Sequence, residues 1–231
     1  MINIFIGYDH RERAATNVLI DSLYQRSSLP LSINILKNNQ LINSGIYWRK
    51  RDPKQSTDFS FTRFLVPHLM DFNGWAVFMD CDMLCQDDIA ELWNQRNENY
   101  SLMCVKHNHE PKNKTKFLGE PQTSYPKKNW SSLMLINCSK CKNLTVEYVN
   151  SASGLDLHRF NWLDNDNEIG EIKGTWNSLV QVSDNNNINN ASLIHWTLGG
   201  PWFKEQRDYE DIITNKWFKA REDSMRLFEY E

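Results

Sequence analysis

Two carboxylates, Asp80 and Asp82 of Asp80-Cys81-Asp82, directly follow the continuous apolar run Trp75-Ala76-Val77-Phe78-Met79. Carboxylates at the exit of a buried strand are costly unless a cation or hydrogen-bond donors meet them. Ligands of open α/β sheets collect at the carboxyl ends of the strands. A hard divalent cation there would be held by carboxylate oxygens and would bridge to phosphate oxygens. The same pair also suits turn or helix-capping acids ahead of Asp87-Asp88. His195 ends a second apolar run, Leu193-Ile194-His195-Trp196, before the turn Gly199-Gly200-Pro201-Trp202. Its imidazole is a common ligand for manganese and the later metals, less so for magnesium. Standing alone, it is equally a core histidine with satisfied ring nitrogens. As a second strand-end ligand it complements Asp80 and Asp82.

The elements that must position these residues follow from pattern. Ile2 to Ile6 is a short β-branched run ending at Gly7, which suits a buried strand. Asp9 and Glu12 have capping-box spacing, and Ala15, Val18, Leu19 and Leu23 predict an amphipathic helix over 10–26. A second strand over 31–36 completes the opening of an α/β fold with a parallel sheet. Residues 37–57 are polar with no period. Phe61, Phe64, Leu65 and Leu69 restore helical spacing, and Pro67 predicts a kink or an early end. Residues 75–79 read as a central strand and 87–93 as a short helix. Strands are expected at 101–105, 132–137 and 193–196, and helices at 140–151 and 208–228. Residues 106–129 form a long polar segment. Loops of that length in a compact domain are usually functional or disordered.

With 231 residues, the chain can bury a full core without metal or disulfide staples. Lys+Arg total 26 against 29 Asp+Glu, so a net charge of −3 gives no global attraction to nucleic acid or anionic lipid. No stretch approaches the apolar length of a membrane span, and Met1 to Ile6 lacks the features of a signal peptide. Five cysteines, an odd number, fit a reduced, cytoplasmic setting. Cys138-Ser139-Lys140-Cys141 has no partner pair at zinc spacing and fits buried small hydrophobes better than a structural zinc.

Four segments, in order, carry a resemblance. They are Phe5-Ile6-Gly7-Tyr8-Asp9; Arg63-Phe64-Leu65-Val66-Pro67 continuing to Val77 through Leu84 and Asp88 through Trp93; Trp130 through Asn137; and His195 through Trp202. Together they resemble the glycosyltransferases of the GT-A fold and are most similar to family 8. The resemblance spans residues 2–203. It implies one α/β GT-A-like (Rossmann-like) domain over 1–231, with a mostly parallel central sheet and a mixed C-terminal part. A nucleotide-binding half (1–105) would precede an acceptor-side half (106–231) with a helical tail.

By that resemblance Asp80, Asp82 and His195 hold Mn2+ or Mg2+. Arg63 lies near the metal pair and the donor. Tyr8 and Asp9 contact the base, although Tyr8 also suits strand-end packing and Asp9 an N-cap. Ser131 and Ser132 line the sugar side, and Trp176-Asn177 resembles a Trp-Asn pair late in the family. Gly199 and Gly200 sit at the diphosphate. Gly200 replaces the family's phosphate-contacting lysine, leaving Lys204 as a possible substitute. The family's sugar-contacting acid has Asp156, Asp164 and Asp166 as candidates. The implied reaction is metal-dependent hexose transfer from a nucleotide sugar, a uridine diphosphate sugar, to a hydroxyl of a glycan or glycolipid precursor, with retention. Competing readings are a phosphatase of the dehalogenase type using Asp80 and Asp82, a sugar nucleotidyltransferase, and a non-catalytic nucleotide- or glycan-binding module. The first normally wants Thr or Val where Leu84 stands, and the second needs a Gly-rich loop where Gly7-Tyr8-Asp9-His10-Arg11 stands.

The segment 106–129 carries Lys106, Lys112, Lys114 and Lys116, with Lys127 and Lys128 around its end, against Glu110 and Glu120. It is either a solvated basic loop or a contact for an anionic acceptor. If it meets the acceptor, replacing Lys112, Lys114 and Lys116 by Ser should raise the apparent KM for acceptor and flatten the salt dependence of the rate. Donor hydrolysis without acceptor should stay nearly unchanged; steady-state kinetics across a salt series checks this.

Overall fold

The first apolar runs become adjacent strands. In the computed structural model, β1 (Ile2–Gly7) pairs in parallel with β2 (Leu31–Leu36) and with β3 (Trp75–Met79). The model describes residues 1–53, 55–107, 126–182 and 188–226; Lys112, Lys114 and Lys116 lie outside them. A small sheet begins with β4 (Met83–Cys85). Beyond it, β5 (Leu102–Cys104), β6 (Leu133–Asn137) and β7 (Ile169–Glu171) complete a six-stranded sheet of order β2-β1-β3-β6-β5-β7. β6 is antiparallel to both β3 and β5, and β7 is parallel to β5, so β6 alone runs against the other five. The sheet is thus mixed and mostly parallel in direction, within a single GT-A-like α/β domain.

The small sheet is completed by β8 (Ser178–Leu179) and β9 (Leu193–His195), in the order β4-β9-β8. Its register places Met83 opposite His195. In the large sheet Met79 is opposite Leu133, and the Asp80 N–H donates to the Ser132 carbonyl at 2.9 Å. The Trp196 N–H donates to the Asp82 carbonyl at 3.0 Å. The Asp80-Cys81-Asp82 segment therefore joins the two sheets, with one end pinned by each.

Helix α1 (Arg13–Arg26) buries Ala15, Val18, Leu19 and Leu23, the face its spacing predicts. It packs against β4 and against the C-terminal helix. Several shorter elements differ from expectation. Helix α2 (Asn38–Asn43) lies in a stretch without period. At Pro67 a 3-10 turn (Thr62–Leu65) passes into α3 (Val66–Leu69), because proline fits a first helical turn. Asp88 caps α4 (Ile89–Trp93), accepting the Ala90 N–H. Helix α5 (Val146–Ser151) starts later than 140, because Cys138–Lys140 is a 3-10 turn and Thr145 is the cap. Helix α6 (Gly154–His158) was not expected; Ser153 caps it. The final helix, α7 (Ile212–Ser224), starts at an Asp211 cap rather than at 208. Strands β4, β7 and β8 have two or three residues, too few to show a period. All five cysteines are buried and unpaired, and Cys141 Sγ lies on the carbonyls of Ser101 and Asn137. Among the described residues no helix is long and apolar enough to cross a membrane.

The end of β1 anchors a surface segment. A β-carbon on Gly7 would meet the Phe59 ring at 2.2 Å, so glycine lets that ring close over the strand end. Asp9, fully buried, caps the turn that leads into α1. Its carboxylate accepts from Arg11 N (3.0 Å), Arg11 Nε (2.9 Å), Arg11 Nη2 (2.6 Å) and Asp58 N (3.1 Å). Arg11 Nη2 also donates to the Ser56 carbonyl at 2.7 Å. Burial would push the Asp9 carboxyl up, but the Arg11 guanidinium and the two backbone donors outweigh it and hold it below its ordinary value. With the folded pKa below the unfolded one, the stabilisation is present above the unfolded value and is lost as pH falls through the folded one. Asp9→Asn should cost about 1.5–3 kcal/mol near neutrality, the worth of hydrogen bonds to a charged group. In urea titrations the gap from wild type should close as pH drops below about 4; a gap that persists in acid contradicts this account.

Candidate active site

Asp80, Asp82 and His195 converge where the two sheets meet, with one ligand atom from each within 4.8 Å of the others. Arg63, from the 3-10 turn before α3, is buried, and its Nη1 reaches Asp80 Oδ1 at 2.8 Å and the Ser131 carbonyl at 2.8 Å. Its guanidinium lies against the Phe59 and Phe78 rings, with centroids 5.2 and 5.0 Å away. Aromatic faces lower the cost of burying that charge. Arg63 is thus a fixed cation on the Asp80 side.

On the Asp82 side a chain of hydrogen bonds sets the histidine. Ser132 Oγ donates to the Asn129 carbonyl at 2.6 Å, and Asn177 Nδ2 donates to Ser132 Oγ at 2.9 Å. That directs Asn177 Oδ1 to His195 Nδ1, 2.8 Å away. His195 Nε2 is thereby turned toward Asp82 Oδ1, 3.3 Å away. Asp82 Oδ1 is buried and accepts no hydrogen bond. A buried carboxylate oxygen and a ring nitrogen placed this way can share a cation, so this donor set fits a divalent ion.

Behind the pair, Glu12 is buried and accepts from Cys81 Sγ at 3.2 Å. Burial, then repulsion from Asp82, pushes its carboxyl well above the ordinary range.

The three residues open on a cleft of about 340 Å3. That is within the usual ~300–1,000 Å3 of a small-molecule site. Arg63, Ser131, Ser132 and Thr197 share its wall, with Asp52, Gln55, Lys128, Asn129 and His158. His158, at the end of α6, has Nδ1 2.8 Å from Ser131 Oγ, and its ring stands edge-on to Phe64 at 5.2 Å.

Of the residues singled out from the sequence, Asp80, Asp82, His195, Arg63, Ser131 and Ser132 meet here. Tyr8, Asp9, Gly199, Gly200 and Lys204 are not among the residues lining this cleft. The Asp9 carboxylate is occupied by Arg11 and Asp58, and Lys37 Nζ sits 5.7 Å from the centre of the Tyr8 ring. Lys204 is exposed in a 3-10 turn. Asp156, Asp164 and Asp166 do not line it either. Asp156 bonds Ser153 and Asn161 within the α6 turn, Asp164 is exposed, and Asp166 pairs with Lys127. The α6 wall instead presents His158, Gly154 and Leu155. Trp176-Asn177 and Lys128 are singled out by the sequence, but the contact of Asn177 with His195 and the presence of His158, Lys128 and Asn129 on the cleft wall depend on contacts across many residues.

Comparison with known proteins identifies the family and the fold. A family model for glycosyl transferase family 8 matches residues 19–206. Protein CDI of Arabidopsis thaliana is 44% identical over 225 residues, covering 95% of this chain and 86% of that protein. Among solved structures, the bifunctional glycosyltransferase WbbM superposes with a TM-score of 0.65 at 14% identity over 95% of this chain. The match covers 49% of WbbM, so the chain spans about half the length of that protein. The galactosyltransferase LgtC, solved with donor and acceptor sugar analogues, gives a TM-score of 0.60 at 12% identity, covering 99% of this chain and 98% of LgtC. At these identities the two structures speak for the fold.

Removing a partner that orients a metal-binding histidine typically costs 10–100-fold in metal affinity. Asn177→Ala should therefore weaken Mn2+ binding by about that factor, measured by titration against the paramagnetic signal of free Mn2+. Affinity equal to wild type would show that the Asn177 contact does not set the ring.

Proposed function

The chain belongs to glycosyl transferase family 8, a family of hexosyltransferases, and we propose that it moves a hexose from a uridine diphosphate sugar to a hydroxyl of a glycan or glycolipid precursor. The observation that carries this reading is the buried Asp80, Asp82 and His195 set on the wall of a cleft. Family membership displaces the phosphatase, nucleotidyltransferase and binding-module readings.

The hard step is breaking the anomeric C–O bond to the diphosphate. A divalent ion held by Asp80, Asp82 and His195 would supply Lewis-acid stabilisation of the leaving oxygen. The imidazole in the donor set favours Mn2+ over Mg2+. The chain's own residues position and polarise. Asn177 engages His195 Nδ1 and leaves Nε2 to face the ion. Arg63 keeps positive charge beside Asp80 and fixes the backbone at Ser131. Ser131 and His158 offer hydroxyl and imidazole edges to a sugar on the opposite wall. Such a site works mainly by holding donor and acceptor in register. Retention of anomeric configuration is supported by the family resemblance. The proposed division places the nucleotide on residues 1–105 and the acceptor on 106–231, with His195 reaching the metal from the second part. Five unpaired cysteines support a reducing, cytoplasmic setting.

A thermal-shift panel of nucleotides and nucleotide sugars, with and without Mn2+, tests the reading. A ligand at 100 times its Kd stabilises by about 2.7 kcal/mol. Wild type should gain that stabilisation from uridine diphosphate sugars only with Mn2+ present, and Asp82→Ala should lose it while remaining folded. Equal stabilisation of the two proteins would remove the metal from donor binding, and product analysis then identifies the transferred sugar.

A further inference from the structure

We propose that Glu12 is a positioning residue for the metal set, holding the Asp80-Cys81-Asp82 segment through Cys81 so that both carboxylates face one ion. The proposal rests on the divalent-ion reading of Asp80, Asp82 and His195 above and adds the side chains behind them that set their geometry.

Main-chain hydrogen bonds hold the two ends of the segment. The Asp80 N–H donates to the Ser132 carbonyl at 2.9 Å, and the Trp196 N–H donates to the Asp82 carbonyl at 3.0 Å. The middle residue is held by its side chain. Asp80 and Asp82 line the cleft, whereas Cys81 is fully buried, and its Sγ donates to Glu12 Oε2 at 3.2 Å. A ligand set is productive when supporting groups fix it to within about 0.5 Å. Cys81 lies between the two carboxylates in sequence, so a shift of its side chain moves both.

Glu12 suits that task because it is itself fixed. It closes the 3-10 turn His10–Glu12 that leads into α1. Its N–H donates to the Asp9 carbonyl at 3.0 Å, and its carbonyl accepts from Thr16 Oγ1 at 3.3 Å. Asp9 is in turn bound by Arg11 and Asp58. Helix α1 also packs against β4, the strand that the segment enters. The metal segment is thereby tied to the start of α1 by a side-chain contact.

Packing alone does not account for an acid here. Glu12 is 1% exposed, and its Oε1 is buried with no hydrogen-bond partner. A thiol is a weak donor, and a buried acid so poorly satisfied costs stability that an apolar side chain of similar size would not. The acids that act on it, Asp82, Asp9 and Asp80, share its sign of charge. A divalent ion on Asp80 and Asp82 offsets that crowding, which a purely structural residue has no reason to create. Local choices that work against stability gather at functional sites.

Mn2+ binding, followed through the paramagnetic signal of the free ion, tests this on the full chain, with the thermal midpoint of the metal-free protein recorded alongside. Glu12→Leu should leave the metal-free midpoint at or above that of wild type while weakening Mn2+ about tenfold, the lower end of the usual cost of losing a supporting group. Glu12→Gln keeps an acceptor for Cys81 Sγ and should retain most of the affinity. Cys81→Ala should weaken Mn2+ by a factor similar to Glu12→Leu, and it gives the answer should Glu12→Leu fail to fold. The double variant should bind no more weakly than either single one, because both act through one contact. Wild-type affinity in Glu12→Leu or in Cys81→Ala overturns the proposal while leaving the metal set intact. So do additive losses in the double variant, a loss in Glu12→Gln equal to that in Glu12→Leu, or a midpoint of folded Glu12→Leu that falls in step with its affinity. Wild-type protein that binds no Mn2+ overturns the metal reading and the proposal with it.

Discussion

The structure turns on a three-residue passage between sheets. Met79 ends the large sheet opposite Leu133, and Met83 opens the small one opposite His195. The residues between must leave one hydrogen-bond ladder and enter another, so their backbone is pinned at Asp80 N and at the Asp82 carbonyl. Two carboxylates are thereby held at this junction, and the pairing of β4 with β9 brings His195 beside them. Strand register, more than side-chain packing, decides that these three residues share a site.

A buried polar junction persists only if its members are satisfied. Here the solution is asymmetric. Asp80 is neutralised by Arg63, itself lodged against two aromatic rings and the Ser131 carbonyl. Asp82 instead faces the basic nitrogen of a histidine whose other nitrogen is committed to Asn177. Glu12 lies beneath them, its carboxyl pushed up by its own burial and by the repulsion of Asp82. The arrangement leaves Asp80, Asp82 and His195 able to hold one divalent ion. Ser132 connects this to the fold, since its carbonyl holds the Asp80 backbone while its hydroxyl holds Asn177.

The cleft walls come from segments that follow or precede these strands. The turn 128–132 and the residues after β9 approach each other through Asn129 and Thr197. The segment up to Phe59 is drawn onto the end of β1 by Asp9, Arg11 and the bare face of Gly7. In consequence the Asp9 carboxylate is spent on structure. The α6 wall brings an imidazole, His158, to the cleft, while Asp156, Asp164 and Asp166 do not line it.

The sequence by itself determined the long elements and pointed to Asp80, Asp82 and His195 as a candidate metal set. Strands such as 2–6 and 75–79 are apolar throughout because they are buried on both faces, and α1 shows its buried stripe at helical spacing. Asp80, Asp82 and His195 were legible because charge at the end of an apolar run has few inexpensive explanations. Only the tertiary structure decided the rest. The direction of β6 and the two- and three-residue strands of the small sheet depend on pairing partners distant in the chain, and such short runs carry no period. The contacts of Asn177 with His195 and of Asn129 with Thr197 join residues 18 and 68 positions apart. The structure commits the Asp9 carboxylate to Arg11 and Asp58 and leaves Lys204 exposed, because a side chain's type fixes what it can do and its surroundings fix what it meets.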